Sequence, residues 1–112
     1  MTDIPVAIGD SASFSKTVGE SDIYGFAGIT GDFAAPHTNE EFMKRSQFGT
    51  RVAHGALLVG FMSTVSAILG TRVTEGRDDL TLMSIGYDRV RFVAPVKIGD
   101  TITVTYEVKE IE

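Results

Sequence analysis

Apolar and polar positions change their period several times along the 112 residues, and each change marks an element. A short alternation over Phe14-Ser-Lys-Thr-Val18 predicts a first strand, because successive strand side chains point to opposite faces. From Glu20 to Gly31 the period lengthens to that of a helix. Ser21 is its expected cap, Ile23, Tyr24, Phe26 and Ala27 its apolar side, and Gly31 its stop. Asp32-Phe-Ala-Ala-Pro-His37 is expected to be a loop, since Pro36 disfavours helical geometry at Ala35. Thr38 or Asn39 then caps a short helix through Met43, with Glu40 and Glu41 early and Lys44-Arg45 late, as the helix dipole favours. Residues 46 to 54 form a second loop.

The strongest helical segment runs from Gly55 to Leu69. It carries no charge and is apolar nearly all round, so burial on most sides is expected. Residues 71 to 79 are polar and turn-like. Leu80 to Val93 reads as strand with a phase change near Gly86, the signature of a bulge or bend. After Pro95 and a turn at Gly99-Asp100, Thr101 to Ile111 alternates without a break, with Ile102, Val104, Tyr106, Val108 and Ile111 inward. The whole is a single α+β domain over residues 1–112, an antiparallel sheet curled around one apolar helix. Met43, Met62 and Met83 are expected in its core. A long terminal strand left as an edge invites aggregation, so one or two further C-terminal strands are expected to complete the sheet.

Charge narrows the function classes. Ten basic against fifteen acidic residues give a net charge of −5, which argues against nucleic acid and against anionic membrane surfaces as partners. No cysteine is present, which excludes disulfides, thiolate nucleophiles and cysteine metal sites, and two histidines leave little for zinc. The N-terminus has no basic, apolar leader pattern, and Gly55–Gly70 is shorter than the roughly 20 residues of a bilayer span, so a cytoplasmic setting is expected. Asp78-Asp79 is a solvated loop pair, too small for a cation cage.

Four places carry candidate chemistry. Asp32 and His37 would diverge by about 140° on a helix, but a loop can aim both at one water as a general acid–base pair. A capping aspartate and a polar loop histidine are the plainer account of the same residues. His54-Gly55 precedes the apolar helix, where unshared amides and the positive dipole end can stabilise the enolate-like oxygen of a thioester. Gly55 serves equally well for tight packing. Ser63 is a hydroxyl on an apolar helix, able to bond back to a carbonyl or to hold a carboxylate. Arg51, Arg89 and Arg91 receive no role.

Taken in order, Gly31-Asp32-Phe33, Pro36-His37, Phe48-Gly-Thr-Arg-Val-Ala-His54-Gly55-Ala-Leu-Leu58, Ser63 and Phe92-Val-Ala-Pro95-Val-Lys-Ile-Gly99-Asp100-Thr resemble the MaoC-like, (R)-specific enoyl-CoA hydratases of the hot-dog fold. The resemblance covers nearly the whole chain. It implies that Asp32 and His37 are the catalytic dyad that activates water, that Ser63 supports Asp32, and that the Gly55 amide forms the oxyanion hole. His54 comes with the motif as a structural hydrogen-bonding residue. The resemblance further implies an acyl-CoA or acyl-carrier thioester substrate, a homodimer, and neither metal nor cofactor. Ala34-Ala35-Pro36 departs from the family's usual Asn-Pro-x, so the loop lacks the asparagine and Pro36 abuts His37. That loss motivates a non-catalytic acyl-CoA or acyl-carrier binding module as the second reading. A hot-dog thioesterase ranks third, because the apolar helix offers no carboxylate.

Overall fold

A computed structural model describes residues 4–112. Strand β1 (Ser11–Thr17) leads into α1 (Glu20–Thr30), two short helices α2 (Ala35–Thr38) and α3 (Glu40–Met43), the long helix α4 (Gly55–Val73), and strand β2 (Thr101–Glu107). The strands pair antiparallel from Ser11 opposite Glu107 to Thr17 opposite Thr101. One face of this sheet holds Ala12, Phe14, Val104 and Tyr106 against Val65 and Leu69 of α4. The other is a wet row of hydroxyls, in which Ser15 meets Thr103 at 2.8 Å and Thr17 meets Thr101 at 2.6 Å.

A second apolar cluster surrounds the start of α4. Val18, Ile23, Ala53 and Leu57 are buried there, with Phe26, Phe61, Val96 and Ile98 packed on them. Backbone bonds stitch this end together: Ala53 N–H donates to the Val96 carbonyl at 2.7 Å, and Val52 bridges Lys97. The N-terminus of α4 is thereby fixed against two separate stretches of chain, and the candidate residues lie around it.

Several boundaries differ from expectation for local reasons. β1 begins at Ser11, since its Ser-rich outer positions still alternate with buried ones. Gly19, not Ser21, caps α1, and the Asp22 carboxylate reaches back to accept the Gly19 N–H at 2.8 Å. Tyr24 faces outward, while Ile23 and Ala27 form the buried side. Gly31 stops α1 as expected, at a φ of 85° that only glycine adopts without strain. The expected loop at Asp32–His37 contains the single turn α2. Pro36 lies in its first turn, where a missing N–H costs nothing, and the extended residue is Ala34. Asn39 caps α3 by accepting the Phe42 N–H at 2.9 Å.

α4 runs four residues past Leu69 to Val73, and only Leu57, Val65, Leu69 and Gly70 are buried on it. Its 19 residues are apolar enough to cross a membrane by length and composition alone, yet it packs on β1, β2 and α1 as a core helix. β2 ends at Glu107 rather than Ile111, although Val108 still exchanges backbone bonds with Gly9 and Asp10. The largest correction concerns Leu80–Val93, which forms no strand. β1 and β2 take each other as partners, no ladder forms alongside the segment, and Arg89 breaks its extension with a φ of 55°. Met83 is consequently exposed, whereas Met43 is buried and Met62 half-buried.

Candidate active site

Asp32 follows the helix stop at Gly31, so its side chain leaves the end of α1 into open solvent. Its Oδ1 accepts the Ala34 N–H at 3.2 Å, and its own N–H donates to Thr30 Oγ1. Two turns of geometry bring His37 back beside it. α2 reverses the chain, and the Val52 N–H donates to the Pro36 carbonyl at 3.0 Å. His37 Nδ1 lies 2.8 Å from the Val52 carbonyl. A carbonyl only accepts, so Nδ1 carries the proton and the lone pair of the neutral ring is on Nε2.

His54 completes the cluster from beneath. It is 2% exposed, and its Nε2 donates to the backbone carbonyl of Asp32 at 2.9 Å. Its ring stacks on His37 with centroids 3.8 Å apart and planes 24° apart, and Phe26 lies against its other environment at 4.8 Å. One ligand-capable atom from each of Asp32, His37 and His54 falls within 4.8 Å of the others. The trio makes a poor metal cage: nearly parallel imidazoles direct their in-plane lone pairs side by side, and one His54 nitrogen already holds a carbonyl.

Arg51 is the residue whose role the sequence reading missed. It is buried, and it ties three pieces together. Its Nη2 reaches Glu20 of α1 at 2.6 Å, its Nε reaches Glu40 of α3 at 3.4 Å, and its Nη1 reaches the His37 carbonyl at 3.4 Å. Glu40 also accepts the Thr50 hydroxyl and the Arg51 N–H. The Thr50 hydroxyl, first, and then the Arg51 backbone amide hold the Glu40 carboxyl below its usual range. The Glu20 hydrogen bond raises Arg51 further above its ordinary value. The available signal was an arginine between two glycine-marked turns and a histidine, with acids placed to meet it.

Gly55 opens α4, and its N–H finds no backbone acceptor among the described residues. The ring of Phe92 rests on its α-carbon: a Cβ there would sit 2.7–2.9 Å from three ring carbons. The tight packing expected of Gly55 is therefore present, beside an amide that makes no backbone hydrogen bond among the described residues. Beyond Phe92 an open cavity of about 440 Å³ runs along Leu58, Val59 and Met62 toward Val104. Ser63 lies two turns further along α4, exposed. It lines a second cavity of about 590 Å³ with Ser66 and Tyr106, whose phenol is pushed up by burial. No hydrogen bond joins Ser63 to Asp32 among the described residues.

Residues 4–112 match the family model described as MaoC like domain. The chain is 45% identical over 100 residues to an (R)-specific enoyl-CoA hydratase of Rhodospirillum rubrum, covering 89% of this chain and 64% of that protein. It is 39% identical over 104 residues to a 3-hydroxybutyryl-CoA dehydratase of Methylorubrum extorquens, covering 93% of this chain and 61% of that protein. The chain thus spans less than two thirds of the length of these two relatives. Among solved structures, the monoamine oxidase regulatory protein of Archaeoglobus superposes with a TM-score of 0.79 at 35% identity, covering 94% of this chain and 68% of that one. The (R)-hydratase of A. caviae involved in PHA biosynthesis superposes with a TM-score of 0.74 at 28% identity, covering 96% and 75%. The hot-dog architecture expected of the chain is the fold of these neighbours.

Proposed function

The chain belongs to the MaoC-like dehydratase family, and from that premise we propose that it takes part in the reversible hydration of a trans-2-enoyl-CoA to an (R)-3-hydroxyacyl-CoA. The observation that carries this reading is the convergence of Asp32 and His37 on His54, the residue that precedes Gly55 at the head of α4. The relatives named as hydratase and dehydratase support the same chemistry.

In the proposed course the thioester carbonyl accepts the Gly55 N–H, and the positive end of α4 favours the negative charge that develops there. A water lies between the Asp32 carboxylate and His37 Nε2. Its oxygen bonds to C3, one of its protons passes to the dyad, and the dyad returns a proton to C2. The electron pair of the C2–C3 π bond is consumed, so atoms and charge balance. The apolar cavity beside Phe92 has room for an acyl chain. A homodimer in the cytoplasm is the proposed working form.

The second reading, a binding module without turnover, draws on one feature. Ala34 stands where the family's loop offers an asparagine, and among the described residues the Asp32 carboxylate is steadied only by the Ala34 amide. Mixing the folded protein with crotonyl-CoA and following the conjugated enoyl-thioester absorbance separates the two. Hydration lowers the absorbance, and Asp32→Asn slows the loss by about 10²–10⁴-fold, the usual worth of a positioned acid–base group. Near-parental turnover in that variant removes the dyad assignment. Binding without turnover, across longer and branched enoyl-CoAs as well, favours the module.

A further inference from the structure

We propose that His54 is a positioning residue that clamps the reacting pair in register, acting as a neutral ring with its proton on Nε2. The proposal rests on the hydratase reading for its kinetic consequence, though its geometry stands apart from it. His54 occupies the N-cap position of α4, yet its side chain makes no capping hydrogen bond. Ser, Thr, Asp or Asn would serve a cap better. The imidazole instead turns away from the helix, and its one donor goes to the main-chain carbonyl of Asp32. Its face meets His37 at 3.8 Å. One side chain thus fixes the backbone that carries the carboxylate and the plane of the ring that works with it.

The protonation state follows from the partners. Nε2 faces a carbonyl and must donate. Nδ1 is buried and has no partner among the described residues. A charged ring would place an N–H at Nδ1 with no acceptor, at a larger cost than an unshared lone pair. The titratable and charged groups around the stack are Asp32, His37 and Arg51, the last through the His37 carbonyl. A neutral His54 lets His37 take up a proton without a second cation stacked on its face. The two histidines are therefore opposite tautomers, His37 protonated on Nδ1 and His54 on Nε2.

Two measurements test the clamp. Long-range ¹H–¹⁵N correlation spectra of the protein should report pyrrole-type Nε2 and pyridine-type Nδ1 for His54, and the reverse for His37. A proton on His54 Nδ1 would overturn the proposal whatever the activity. In kinetics with crotonyl-CoA, His54→Phe keeps a ring under His37 but loses the donor. It should lower kcat by about 10- to 100-fold with KM little changed, the scale of a small misplacement of reacting groups. His54→Gln, whose amide can reach the Asp32 carbonyl, should recover part of that loss. Parental kcat in a folded His54→Phe would overturn the clamp, as would equal losses in both variants. A parent without turnover would instead count against the hydratase reading, leaving the spectra to decide the clamp.

Discussion

Gly55 carries two demands in one position. Its amide lies at the head of α4, where the proposed mechanism needs it open, and its α-carbon accepts the ring of Phe92. Gly55→Ala leaves the amide in place and improves helix propensity, but it drives a methyl to 2.7 Å from an aromatic carbon. Overpacking of this kind costs about 1–3 kcal/mol. The expected outcome is a lower midpoint in urea, with most of the loss relieved in the Gly55→Ala/Phe92→Ala pair, since Phe92 is largely exposed and cheap to shorten. Additive losses would mean the ring simply swings away. At this scale the sequence was informative wherever a residue type limits what it can do. Asp32, His37 and His54 could be singled out by residue type alone, and the fold brings one polar atom of each within 4.8 Å of the others. Arg51 escaped notice because its meaning lies in Glu20 and Glu40, residues distant in sequence that only the folded chain brings together.

Elements were legible in proportion to the strength of their local signals. α4, the Gly31 stop and the Asn39 cap follow from short-range chemistry, and they are present. α2 was missed because a proline argues against helix except in the first turn, and the pattern alone does not tell which turn it occupies. Leu80–Val93 has a strand's composition without a strand's partner, and partners are not written locally. The junction of β1 with α1, and of α3 with Arg51, is held by carboxylates. Asp22 accepts the Gly19 amide and, after a desolvation cost, the Lys16 ammonium, which together hold its pKa below the usual 3.8. Glu40 is held below 4.5. A lowered folded pKa means that the stabilisation is complete above the ordinary value and fades as pH falls through the folded one. Thermal stability should therefore decline as pH drops below about 4.5, Glu40 first and Asp22 next. Glu40→Gln should flatten the upper part of that decline when melting is followed from pH 6 to pH 3. An unchanged profile would place the acid sensitivity elsewhere.

The whole molecule is longer than its residue count suggests. Its Cα radius of gyration is 17.2 Å, against about 13 Å for a compact chain of this length. Ile85 and Val93 stand in solvent on the segment that pairs with nothing. What composition foretold was the class, a helix against an antiparallel sheet. The extent of that sheet depends on which strands meet, and periodicity does not encode meeting. The pairing of β1 with β2 has a kinetic meaning. Thr17 and Thr101 are 84 positions apart, so β1 and β2 join only when nearly the entire chain has been drawn into a ring. Closing a loop that long costs about 4 kcal/mol in chain entropy before any contact offsets it. The helices can form from neighbours in sequence, and the sheet is the step that must wait. Ser15→Ala and Thr103→Ala, which remove one hydroxyl pair from the ladder, should hasten unfolding several-fold and leave the refolding rate nearly as it was, as stopped-flow chevrons would record. A slowed refolding arm would mean that the two ends of the chain find each other first, and that everything between them folds inside a closed loop.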